Sequence, residues 1–159
     1  MPPAPAVPPD HTPRIQPMRW WHVDEVVRLD RELFAADAWA PELFWAELTT
    51  AGRSYWVAED AGRVRGFAGL AVSGPDADVQ TVGVDAAVQG RGVGRSLMST
   101  LIDAAAGQGA TRLMLEVRED AVPARRLYES LGFTVLGRRR GYYADDVTAV
   151  LMRLDVRAR

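Results

Sequence analysis

The 159-residue sequence contains no cysteine and only two histidines, His11 and His22. Without cysteine there is no disulfide framework, no protein thiolate and no sulfur-ligated zinc. Two imidazoles are too few to build a metal centre alone, so no metal is expected. No apolar run approaches the roughly 20 residues that a membrane span requires, and the N-terminus lacks the basic-then-apolar layout of a secretory signal. A net charge of −2 provides none of the basic footprint of nucleic-acid binders. A serine or cysteine hydrolase is disfavoured too. There is no Gly-x-Ser-x-Gly elbow, and only His22 falls inside the domain to serve as a triad base. These absences leave a cytoplasmic enzyme or binding protein, with no membrane and no nucleic-acid partner, as the expectation.

What is present reads as one globular domain. The composition is 48% hydrophobic and 25% charged, and the length is ample for a sizeable core. Five tryptophans are many for this length and point to aromatic packing or a groove. Residues 1–13 hold six of the ten prolines and no apolar period, so they are expected to be a disordered tail. The domain is expected over 14–155, with 156–159 as a C-terminal tail.

Val23, Val26, Val27, Leu33 and Phe34 recur at helical spacing over 21–34, with Asp30 a polar exception on that face. Pro41 sits where a first helical turn tolerates it and opens a short helix over 42–48; 35–40 reads as a loop carrying Trp39. Runs 54–59 and 64–72 around Asp60-Ala61-Gly62 predict a hairpin. Gly74-Pro75-Asp76 then breaks the chain before a strand over 79–84. Leu97, Leu101, Ile102 and Ala105 predict a helix stopped by Gly107 and Gly109. Leu113, Leu115 and Val117 alternate with Arg112, Met114 and Glu116, a strand with two different faces. A short helix over 124–131 ends at Gly132, and strands over 133–136 and 147–154 close the domain. With a short strand before Met18, hairpins near both ends and a central strand–helix–strand crossover, the pattern implies an α/β (α+β) fold: a mixed sheet with helices on its faces.

The most distinctive local feature is Gln89-Gly90-Arg91-Gly92-Val93-Gly94, between a strand end at Val84 and a helix. Glycines accept positive φ and leave backbone N–H groups uncovered, and a helix N-terminus favours phosphate oxygens. The turn therefore reads as a diphosphate cradle, with Arg91 and Arg95 available for charge pairing; read in isolation, it is equally a flexible turn. It is not a P-loop, because Arg95-Ser96 replaces the Lys-Ser/Thr ending. Nor is it a dinucleotide fingerprint, because the glycine spacing differs and the turn comes past mid-chain.

Gln89-x-x-Gly92-x-Gly94 resembles the Gln/Arg-x-x-Gly-x-Gly/Ala signature of the GNAT superfamily of N-acetyltransferases. Leu115-Glu116-Val117-Arg118, Ala124-x-x-Leu127-Tyr128-x-x-Leu131-Gly132-Phe133 and Arg138-Arg139-x-x-Tyr142-Tyr143 resemble its RimI-type branch. So do Ile15-x-Pro17-Met18 and the 34–48 stretch around Trp39, and the likeness spans roughly 14–154. It implies the GNAT fold: a mixed six- to seven-stranded sheet flanked by about four helices, with the cofactor in a split between the fourth and fifth strands. It implies acetyl-CoA as co-substrate and a primary amine as acceptor. In the RimI-type branch the acceptor is the N-terminal alanine of ribosomal small-subunit protein eighteen. A cytoplasmic monomer or weak dimer is expected.

Carried over residue by residue, the resemblance makes Glu116 the general base and Tyr128 the acid that protonates the departing sulfur. It places cofactor contacts at Val82, Gly83 and Val84, on a strand that in this superfamily bulges away from its neighbour. Gln89, Gly90, Arg91, Gly92, Val93, Gly94 and Arg95 would grip the diphosphate. Read without the resemblance, Glu116 is more simply a solvated strand residue paired with Arg112 or Arg118, and Tyr128 a core aromatic. Gly83 inside an apolar strand fits close ligand approach. Two positions depart from the pattern. Ala121 stands where the family usually has a cofactor-touching asparagine, a loss of about 0.5–1.5 kcal/mol, and Thr148 stands where the branch often has aspartate. Trp39, Tyr142 and Tyr143, with the basic run Arg138-Arg139-Arg140, are expected to wall the acceptor groove, although such a run is also an ordinary solvated rim. Two alternatives stay open: a GNAT enzyme for a small-molecule amine or a lysine side chain, for which Asp37, Asp145 and Asp146 would be suitable groove acids, and a non-catalytic acyl-CoA-binding module.

Overall fold

The computed structural model describes residues 12–156; 1–11 and 157–159 lie outside the described residues, and with them His11 and nearly all of both expected tails. Seven strands form one sheet in the order β1-β2-β3-β4-β5-β7-β6. The chain runs β1 (Arg14–Pro17), α1 (Val23–Phe34), α2 (Pro41–Thr49), β2 (Arg53–Asp60), β3 (Arg63–Ser73), β4 (Asp76–Val84), α3 (Val93–Gly107), β5 (Arg112–Arg118), α4 (Val122–Ser130), β6 (Thr134–Arg139) and β7 (Ala149–Asp155). Every neighbouring pair is antiparallel except β4 and β5, which α3 connects as a parallel crossover.

The period-2 alternation of the strands sorts apolar side chains onto two faces. Met18, Val57 and Phe67 pack with Val23, Val26, Val27 and Leu29 of α1 and Phe44 of α2. Ala68, Leu70, Leu113, Leu115 and Val117 pack on the other face against Leu97, Met98, Leu101 and Ile102 of α3 and Tyr128 of α4. Because Leu113, Leu115 and Val117 point toward α3, Arg112, Met114, Glu116 and Arg118 point toward the α1–α2 side.

Asp30 interrupts the apolar face of α1 and is only 1% exposed. Its Oδ2 accepts the Trp39 N–H at 2.7 Å, so the carboxyl fastens the following segment to the helix. Burial pushes the Asp30 carboxyl above its ordinary range, opposed by that backbone bond and by Arg31. The expected loop at 35–40 contains a 3₁₀ turn, Ala35–Asp37. α4 starts earlier than expected, at Val122, because Pro123 suits its first turn.

Candidate active site

The site begins where the sheet splits. β4 pairs with β5 only through Asp76, Asp78 and Ala77 against Arg112, Met114 and Leu113; past Asp78 the two strands part. The cause is a bulge. Gly69 faces Thr81 while Leu70 faces Val79, so Gln80 has no partner on β3. An extra residue bends and twists the strand, carrying its remainder away from β5. The strand that carries Val82, Gly83 and Val84 is thus bulged, as the resemblance implies, with the extra residue at Gln80.

A chain of contacts holds it there. The Gln80 Nε2 lies 3.4 Å from Glu47 Oε2, which also accepts the Tyr55 hydroxyl at 2.6 Å. The Tyr55 ring fills the space that a side chain at Gly69 would need. Gly83 has the same kind of role. A Cβ there would stand 2.8 Å from Phe67 Cζ and 2.9 Å from Leu33 Cδ1, so core packing by itself requires glycine at this position.

The split opens into a cavity of about 560 Å³ whose lining includes Leu33, Trp39, Gln80, Val82, Leu115, Glu116, Val117, Ala121, Ala124 and Tyr128. Side chains from both faces of β5 line it, so the cavity passes through the sheet. Gly83 and Val84 are not part of that lining. A second cavity of about 720 Å³ adjoins it on the α1–α2 side and shares Asp37, Trp39, Val79, Gln80, Leu115, Glu116 and Tyr143. Asp78, Arg139 and Tyr142 line it as well. Glu116 stands between the two.

Glu116 Oε1 lies 3.4 Å from Arg139 Nη1, and its side chain is 30% exposed. The neighbouring Glu116 carboxylate, together with partial burial, raises the Tyr142 phenol above its usual value, against the pull of Arg139. Tyr143 is pushed up to about 12, first by burial and then by the Glu116 charge, against the pull of Arg118. Trp39 stacks at a tilt on Phe44, with ring centroids 5.0 Å apart, and faces both cavities. Tyr128 enters from the opposite face. It is 6% exposed and packs edge-to-face on Phe133. Its hydroxyl makes no hydrogen bond among the described residues, and burial raises the phenol well above its usual value, with a smaller push from Tyr143.

The glycine turn is shaped as a cradle. Gly90 (φ +78°) and Gly92 (φ +83°) adopt left-handed conformations, and nothing lies within 4 Å of where a Cβ would stand on either. The Asp85 carboxylate accepts the Ala87 N–H at 2.9 Å and binds Arg65 at 3.0 Å, and Gln89 Nε2 donates to the Val84 carbonyl at 3.0 Å. Gln89 therefore ties the turn to the end of β4. The Val93 side chain is buried in the core. Gly94 lets α4 approach: a Cβ would stand 3.2 Å from Leu127 Cδ2. Arg95 donates to Ser130 Oγ at 2.7 Å, so part of its guanidinium is already bound, while Arg91 is exposed. Among the described residues no group of three or more His, Asp or Glu converges as a metal site would, and no helix is long and apolar enough to cross a membrane.

Residue spacing carries no sign of Gln80, which has no motif of its own. Asp37 and Asp145, the candidate groove acids, prove to be paired with Arg118.

A mixed sheet split at its parallel pair, with a glycine cradle beyond the bulged strand and a carboxylate and a phenol facing one cavity, is the architecture of an N-acetyltransferase. Residues 16–133 match the family model described as Acetyltransferase (GNAT) family. The chain belongs to the GNAT acetyltransferase family, in its RimI-type branch. It is 41% identical over 133 residues to the N-alpha-acetyltransferase RimI of Mycobacterium tuberculosis, covering 80% of this chain and 82% of that protein. The crystal structure of the ribosomal-protein-S18-alanine N-acetyltransferase from Escherichia coli superposes with a TM-score of 0.82 at 28% identity, covering 90% of this chain and 93% of that one. Arabidopsis thaliana NAA60 in complex with acetyl-CoA shares the fold, with a TM-score of 0.82 at 18% identity over 91% of this chain and 99% of that one.

Proposed function

We propose that the protein transfers the acetyl group of acetyl-CoA to the N-terminal alanine α-amine of ribosomal small-subunit protein eighteen, in the cytoplasm. The observation that carries this reading is that Glu116 and Tyr128, on opposite faces of the sheet, line one cavity through the β4–β5 split. The open backbone at Gly90 and Gly92 suits a diphosphate, and the cavity crossing the sheet suits a pantetheine arm reaching inward. The ribosomal acceptor is supported by the likeness to the Escherichia coli enzyme.

In this mechanism Glu116 takes a proton from the acceptor ammonium, and the freed amine attacks the thioester carbonyl carbon. Backbone N–H groups of the bulged segment around Val82 bind the developing oxyanion. The C–S bond then breaks, the nitrogen loses its second proton to solvent as the amide forms, and Tyr128 protonates the departing sulfur. Burial keeps the Tyr128 phenol in its O–H form at neutral pH, the form that an acid needs. Tyr142, Tyr143 and Trp39 bound the space from which a peptide N-terminus would reach Glu116. The polycationic small-molecule alternative loses two of its candidate acids, because Asp37 and Asp145 are engaged by Arg118.

The test is incubation with acetyl-CoA and a peptide copying the ribosomal N-terminus, read by release of free thiol and by mass. One acetyl on the α-amine supports the assignment. Brisk transfer to small amines or lysine side chains, with none to the peptide, overturns it.

A further inference from the structure

We propose that Arg118 is a positioning residue that sets the acceptor wall of the cleft by gathering three loops onto one guanidinium. The inference rests on the acetyl-transfer reading above. Arg118 ends β5 two residues after Glu116, on the same face of the strand. Its Nε and Nη2 donate to the two oxygens of Asp120 at 2.9 and 3.0 Å. Nη1 and Nη2 donate to the two oxygens of Asp145 at 2.9 and 2.6 Å, and Nη1 also lies 3.5 Å from Asp37 Oδ2. The guanidinium carbon stands 5.3 Å from the centroid of the Tyr143 ring. Asp37 completes the connection, since its Oδ1 accepts the Ala144 N–H at 2.8 Å.

Asp37 lies in the turn after α1, Asp120 in the β5–α4 loop, and Tyr143, Ala144 and Asp145 in the β6–β7 loop. These segments are distant in the chain and come together at this guanidinium; the β5–α4 and β6–β7 loops also touch where the Glu119 N–H donates to the Thr148 carbonyl at 2.9 Å. Asp37, Arg118, Ala121, Tyr143, Ala144 and Asp145 are all part of the lining of the through-sheet cavity. The Arg118 hydrogen bonds hold the Asp120 and Asp145 carboxyls below their ordinary range. A single exposed ion pair would add little. A fork shared by three segments does something different, because it fixes their relative positions, and only a planar guanidinium can engage two carboxylates in two-pronged fashion at once. None of these contacts involves the glycine cradle, and Asp37 and Tyr143 also line the second cavity, from which the acceptor would enter, so the effect should fall mainly on the acceptor.

The experiment compares Arg118→Gln, Arg118→Lys and Asp145→Asn with the unaltered full chain, using the alanine-starting peptide. Backbone hydrogen exchange is measured in parallel, without acceptor. We expect the acceptor KM to rise about tenfold, equivalent to about 1.4 kcal/mol. kcat and the acetyl-CoA KM should stay within about threefold, Arg118→Lys should fail to restore the acceptor KM, and the amides of 143–147 should exchange faster. Asp145→Asn should shift both readouts in the same direction by less, and it carries the test if the Arg118 variants do not fold. An unchanged acceptor KM with unchanged exchange, full rescue by lysine, or a loss confined to kcat or to acetyl-CoA overturns the proposal. If the unaltered protein leaves the peptide unacetylated, the acceptor assignment fails, and the exchange measurement still decides whether Arg118 holds the loops.

Discussion

Replacing Tyr128 by phenylalanine removes one oxygen from the cleft and separates chemistry from stability. The ring is 6% exposed and keeps its edge-to-face contact with Phe133, centroids 6.0 Å apart, in the variant. Because the hydroxyl has no hydrogen-bond partner among the described residues, its removal orphans nothing inside the protein. The stability change should stay below about 0.5 kcal/mol, a shift in Tm of at most about 2 °C for a chain of this size. The rate should behave very differently. Loss of a positioned general acid costs on the order of 10²- to 10⁴-fold, or about 3–5 kcal/mol of barrier. The assay is thiol release at saturating acetyl-CoA alongside a melting curve, repeated with an acetyl thioester of a more acidic thiol. That better leaving group needs less help from a proton, so the deficit should shrink. Burial raises the Tyr128 phenol and keeps it protonated well above neutrality, so it should cause no loss of rate between about pH 6 and 10. A Tyr128→Phe protein with kcat within about threefold of the original, or a deficit that ignores the leaving group, would refute the acid assignment.

Three further outcomes are expected. Glu116→Gln should lower kcat more than about tenfold with little change in acetyl-CoA affinity by calorimetry; an unaltered rate removes it as the base. Gly83→Ala puts a Cβ 2.8–2.9 Å from Phe67 and Leu33, so it should destabilise by about 1–3 kcal/mol through overpacking; unchanged melting with lost cofactor affinity would instead make this glycine a ligand-approach position. Asp85→Ala should cost about 1 kcal/mol by removing the cap on Ala87 and the Arg65 contact, and should weaken acetyl-CoA binding as the glycine turn loosens. The Ala87 N–H bond, and Arg65 after it, lower the Asp85 carboxyl below 3.8. Its contribution is therefore full above that pH and lost as the pH falls through the depressed value, so the variant and the original should converge in stability in acid; convergence on the alkaline side would contradict this.

The sequence by itself determined the elements, because apolar period and turn chemistry are local. The helix after the glycine turn, the two-faced strand around Glu116 and the hairpin at Asp60-Ala61-Gly62 are all formed as their residues imply. It also located the glycine turn before α3, where Gly90 and Gly92 both adopt positive φ. Tertiary structure decided what depends on partners distant in the chain. The bulge sits at Gln80 because Gly69 and Leu70 of β3 take their partners on either side of it, a register that spacing within β4 does not encode. Phe67 and Leu33 leave no room for a side chain at Gly83, and Asp30 belongs on an apolar face because the Trp39 amide meets it there. Glu116 and Tyr128 point to opposite faces of the sheet, and they share a cavity only because β4 and β5 separate after Asp78.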